Sequence, residues 1–207
     1  MTPFGDDLRV YLSSRGLTVS GSAAAAATWL VPLLVARFGV PLRGDGGDLP
    51  TELDTMSVLA FVIPISAVLR LLDEGPPALL RTRARDLWKL RACVVLVTLA
   101  LGAANAALIA RFDGLPVKHL VAVVLAQSAL GVLGCCALGS GRGWIVPGTV
   151  TLIATTPGLL PWEINAVYNQ QLTATMIAIA GLLTILGVTA YVTLGLERAR
   201  VNEEQTS

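Results

Sequence analysis

The residue types able to do chemistry are few. His119 is the only histidine, and Cys93, Cys135 and Cys136 are the only cysteines. One histidine cannot make the pair that a zinc site takes from a helix, and neither His-Glu-x-x-His nor paired acidic residues within an apolar run occur. A buried serine–histidine dyad is disfavoured too, because His119 stands at the edge of an apolar run, where an exposed loop role is the default. The cysteines lie inside such runs and read as small packing residues rather than a disulfide framework. A phosphate-cradling Gly-x-x-x-x-Gly-Lys-Ser/Thr loop is absent; the nearest match, GSGRGW at Gly139–Trp144, reads as a tight turn. The chain is therefore expected not to be an enzyme and to bind no metal or cofactor itself. What remains is polar residues at helical spacing in apolar surroundings: Thr98, Gly102 and Asn105, then Gln127, Gly131 and Gly134, then Thr155 and Thr156 before Pro157. Small residues at i, i+4 and i+7 let helices approach, and a single amide can hydrogen-bond across. These side chains either glue helices together or face a pathway.

The elements that must position them are membrane-length helices. Of 207 residues 54% are hydrophobic and 14% charged. Charge-free or nearly charge-free runs recur at Gly16–Ala36, Thr55–Leu69, Ala92–Ala110, His119–Gly141, Gly143–Trp162 and Ile164–Leu196. A helix needs roughly 20 residues to cross the hydrocarbon, so the expectation is an all-α integral membrane protein of six transmembrane helices. Their bounds are about 17–36, 55–72, 92–110, 119–139, 143–161 and 172–196, in a single transmembrane domain. Thr155 and Thr156 can satisfy carbonyls freed by Pro157, so the fifth run is the one expected to bend or break. The first run is too long for a signal-peptide core, and Asp6 and Asp7 sit where such a peptide is basic.

Charge sets the orientation. With the N-terminus inside, eleven of the fifteen lysines and arginines fall on the inner side and four (Arg37, Arg43, Arg111 and Lys118) outside. The positive-inside rule then places both termini in the cytoplasm of a cell membrane. The largest inner loop, residues 73–91, holds Arg81, Arg83, Arg85, Lys89 and Arg91. Leu80, Ala84 and Leu87 recur at i, i+4 and i+7 beside Leu79, Leu90 and Trp88, while Arg81, Arg85 and Lys89 mark another face. That pattern predicts an amphipathic helix, resting on headgroups or docking a cytoplasmic partner. Phe4, Leu8, Tyr11 and Leu12 predict a second one over residues 1–15, along the inner surface. The outer stretch 162–171 carries Trp162, Glu163, Asn165, Tyr168 and Asn169, too polar for hydrocarbon, and predicts short helices forming a lid.

This order of parts resembles the permease subunits of type-two ABC exporters: an amphipathic N-terminal helix, six spans, an amphipathic loop between spans two and three, and a polar outer stretch, PWEINAVYNQQLT, before the last span. The resemblance is one of architecture and covers nearly the whole chain. It implies that the loop is a coupling helix meeting a separate ATPase through Leu79, Leu80, Arg83, Asp86, Leu87 and Trp88. It implies that the outer stretch is re-entrant. ATP and magnesium would sit on that ATPase, and transport would take a second permease copy or a sister permease. The remaining partner is the lipid bilayer, and no nucleic acid is expected. The lack of charge inside the spans suits a hydrophobic or amphipathic cargo. A secondary transporter or a structural subunit of another membrane complex is the alternative reading, with an intramembrane enzyme behind both.

Overall fold

A computed structural model describes residues 26–35, 38, 56–72 and 87–194. Within them the secondary structure is helical and holds no strand. The expected helix over residues 1–15 lies outside the described residues, as does the coupling loop up to residue 86 with Leu79, Leu80, Arg83 and Asp86.

Seven α-helices are described: α1 (Leu30–Val35), α2 (Ser57–Ala60), α3 (Val62–Leu69), α4 (Leu87–Asp113), α5 (Val117–Leu138), α6 (Ile145–Thr155) and α7 (Thr173–Leu194). Among the described residues, three stretches are long and apolar enough to cross a membrane: Arg91–Phe112 in α4, Val117–Leu138 in α5, and Gln170–Leu194, which is α7 with the 3₁₀ turn before it. At 1.5 Å per residue, the 22 residues of α5 and of α7 reach about 33 Å, matching a hydrocarbon layer of about 30 Å. A bilayer explains why Leu182 and Ile185 of α7 can stay 60% and 66% exposed without penalty.

Helix α4 begins at Leu87, five residues ahead of the expected span. Trp88, Lys89 and Arg91 thus belong to its first turns rather than to a separate loop helix. Trp88 is exposed, and the Lys89 ammonium lies 5.6 Å from the centre of its ring, a cation–π pair suited to a headgroup boundary. At the other end Gly114 takes a left-handed φ of 70°, and Leu115 N–H closes the helix on Ala110 O at 2.9 Å. Pro116 then starts α5, where its missing N–H costs nothing. That three-residue connection makes α4 and α5 antiparallel and sets His119 in the first turn of α5.

Helix α5 is the centre of the bundle, packed by α3, α4, α6 and α7. Its glycines permit the approach. A side chain on Gly131 would come within 2.6 Å of Leu69 Cδ1, and one on Gly134 would collide with the Gly143 carbonyl as the chain turns toward α6. On the far side, Gly187 of α7 lies against Ala129 O and Val132. With His119 bonded to Thr173, this makes α5 and α7 run in the same direction. Tyr191, fully buried, donates its hydroxyl to Leu72 O at 2.8 Å and ties α7 to the end of α3.

The fifth apolar run does not form a full span. Helix α6 has 11 residues, about 16 Å or half the hydrocarbon layer. It stops because the residue before a proline avoids the α region, and Thr156 is extended at φ −77°, ψ 119° ahead of Pro157. Residues 156–172 follow as turns and two 3₁₀ helices, Trp162–Ile164 and Gln170–Leu172. The expected polar stretch is therefore longer, and it reaches down to the broken end of α6.

Candidate functional site

The break in α6 gathers the polar interior. Gln127, at the middle of α5 and 4% exposed, donates from Nε2 both to Val58 O of α2 at 3.0 Å and to Thr151 Oγ1 of α6 at 2.9 Å. One amide thus joins three helices. One turn further along α6, Thr155 donates to Thr151 O at 2.7 Å. Since its only proton is used there, the Tyr168 hydroxyl 2.9 Å away donates to Thr155 Oγ1. Tyr168 is fully buried, so the segment after the break folds back onto the helix it came from. Asn165, 3% exposed, donates Nδ2 to Ala154 O at 2.8 Å and satisfies one carbonyl of the last turn. Irregular backbone at membrane depth survives only where protein supplies such partners.

Above this layer the segment is self-capped. Asn169 donates to Trp162 O at 3.2 Å and accepts from Gln171 N–H at 3.0 Å, an Asx turn that opens the second 3₁₀ helix. Thr173 Oγ1 donates to Gln170 O. His119 lies beneath, 1% exposed. This corrects the expectation of an exposed loop residue: the segment closes over the ring, with Nε2 3.0 Å from Val167 O and Nδ1 2.9 Å from Thr173 Oγ1. A carbonyl only accepts, so Nε2 carries a proton. A neutral ring then takes the Thr173 proton at Nδ1 and releases Gln170 O, whereas a charged ring donates to both neighbours.

The other sequence candidates divide. Thr155, Tyr168 and Asn165 meet on α6, with Gln127 joined to the same helix through Thr151. Thr98 is buried but donates to Val94 O of its own helix at 2.9 Å. Asn105 likewise donates to Leu101 O at 2.8 Å, and Thr156 to Leu152 O at 2.8 Å. Glu163 is exposed and Trp162 half-buried at the edge of the segment. Leu87 opens α4. Sequence reasoning missed Thr151, Tyr191 and the role of His119. The one available signal was that Thr151 stands four residues before Thr155, on the same helical face.

Two oxygens stand apart. Gln127 Oε1 and Asn165 Oδ1 are buried and have no hydrogen-bond partner among the described residues. The buried polar side chains around them are serine, threonine, asparagine, glutamine and His119, and no lysine, arginine, aspartate or glutamate is buried among the described residues. Nor do the described residues group three or more histidines, cysteines or acids that could hold a metal ion. The cluster can donate and accept hydrogen bonds, but its surplus is of acceptors.

The chain matches no family model, no curated protein and no solved structure.

Proposed function

We propose that this chain is the membrane-spanning permease subunit of an ATP-driven exporter of the type-two ABC kind, moving a hydrophobic or amphipathic cargo out of the cytoplasm. The observation that carries the reading is the interrupted α6 and the packed, partly helical segment that follows it before the last long helix. That is where the resemblance implies a re-entrant outer element. A lid built this way sits at the end of a pathway, and its side chains Asn165, Tyr168 and Asn169 turn inward. In this reading six spans cross a cell membrane with both termini in the cytoplasm. The basic loop ending at α4 is the contact for a separate ATPase, and a second permease copy or sister completes the transporter.

The test is on the loop. Replacing Leu80 and Leu87 by serine keeps the charge and removes the apolar ridge. If the ridge fills a groove on the ATPase, truncating such an anchor costs on the order of 2 kcal/mol, about thirtyfold in affinity. The permease should insert normally, lose its ATPase on purification and stop transporting. Normal insertion with full ATP-dependent transport would end the proposal.

One observation favours a second reading. A discontinuous helix with polar groups near the middle of the layer is also how secondary transporters build their sites. Transport that persists without ATP or any ATPase subunit would select it.

A further inference from the structure

We infer that the broken end of α6 is a binding point for an uncharged hydrogen-bond donor, a hydroxyl or an amide N–H, carried on an otherwise apolar molecule. Gln127 Oε1 and Asn165 Oδ1 are the receiving atoms. Each belongs to an amide whose nitrogen is already fixed on α6, at Thr151 Oγ1 and at Ala154 O. Those anchors stand three residues apart, within the last two turns of α6. Neither amide can turn round to hide its oxygen, because Val58 O and Ala154 O accept only and require the nitrogen where it is. Leaving a buried acceptor unpaired costs about 1–3 kcal/mol, and two such atoms in one short region mark a place that a donor would relieve.

The chemistry of the donor follows from the surroundings. An anion would meet two unpaired amide oxygens and the negative end of the α6 dipole. A cation would be buried with no carboxylate among the described buried residues to balance it, and burying an unbalanced charge costs more than two hydrogen bonds return. A neutral O–H or N–H remains. This deepens the transport reading, on which it rests for the idea that the donor arrives on cargo. Binding itself needs no ATPase, so the two can fail separately.

The experiment uses the full chain in lipid nanodiscs and two matched probe pairs: 1-octanol with its methyl ether, and hexanamide with N,N-dimethylhexanamide. Within a pair the second member loses the donor and gains only methyl groups, so tighter binding of the donor-bearing member runs against the change in apolar area. Binding is read from the shift in thermal unfolding as each probe is titrated. The donor-bearing member should bind about tenfold more tightly than its partner in at least one pair, the value of one well-made buried hydrogen bond. Preference in the octanol pair identifies a hydroxyl, and preference in the amide pair an N–H. Gln127→Leu and Asn165→Leu should each reduce the preference. Equal binding within both pairs would overturn the inference and leave ordered water as what those oxygens face. Tighter binding of octyl phosphate than of octanol, or a preference unchanged in both variants, would overturn it too. Should a variant fail to insert, the comparison within the unmodified protein still decides.

Discussion

Tyr168 is where the docking of the outer segment is most exposed to measurement. Its ring is fully buried and its hydroxyl donates to Thr155 on the broken helix. Two substitutions separate these contributions. Tyr168→Phe removes one hydrogen bond, and such bonds inside membrane proteins average about 0.6 kcal/mol with a maximum near 1.7. Tyr168→Ala also removes the ring, for which buried aromatic truncations give about 3–5 kcal/mol. If the segment opens as a unit, the first change raises its open population by about threefold to nearly twentyfold. The second raises it by about a hundredfold to a few thousandfold. Amide hydrogen exchange reads that population directly. The reporters are the backbone N–H groups of Asn165, Tyr168 and Asn169, which bond to Trp162 O at 3.2 Å and to Asn165 O at 3.2 and 2.8 Å. The amides in the middle of α5 serve as the control, because their helix stays packed when the segment lifts. Exchange that rises less than tenfold in Tyr168→Ala, or that rises equally in α5, would refute the idea that this ring holds the segment down.

Four further outcomes follow from contacts. Gly134→Ala should destabilise by about 1–3 kcal/mol, since the new methyl meets the Gly143 backbone rather than a side chain that could move aside. Gly181→Ala on α7 meets nothing within 4 Å and should be neutral or stabilising by up to about 1 kcal/mol, and thermal unfolding in nanodiscs compares the two. A membrane-permeant maleimide should modify exposed Cys93 well before buried Cys135, and mass spectrometry of partial reactions will give the order. His119→Phe keeps an aromatic ring, somewhat larger, but leaves Val167 O and Thr173 Oγ1 without the imidazole, so it should speed exchange in residues 167–173 and spare α4.

Apolar runs between charges were enough to find α4, α5 and α7, because a bilayer imposes length and composition on any helix that crosses it. Pro157 with Thr155 and Thr156 likewise marked the fifth run as the one to break. The depth of that break was not legible. It depends on Asn165 and Tyr168 returning to Ala154 and Thr155, contacts that neither helical nor strand periodicity can register. His119 illustrates the same limit, since its partners lie 48 and 54 residues away in the chain. The stripes Thr98–Gly102–Asn105 and Gln127–Gly131–Gly134 look alike in sequence. In space the polar side chains of the first bond to carbonyls of their own helix while Gly102 lies against α5, and the second reaches three neighbouring elements. The N-terminal stripe and the basic loop up to residue 86 lie outside the described residues.

The half-length of α6 also bears on how the chain is made. Machinery that threads a nascent chain into the bilayer reads hydrophobicity over about 20 residues, and Gly143–Trp162 is free of charge for that whole distance. Yet only Ile145–Thr155 ends as α-helix. The stretch after it finds part of its support in Thr173, at the start of the final helix, which is synthesised later. A ribosome that has emitted the fifth run has therefore delivered a segment whose polar groups are not yet all paired. Asn165 and Tyr168 can already reach Ala154 and Thr155, but His119 Nδ1 has no Thr173 until α7 arrives beside α5, so the ring and the end of the segment are completed last.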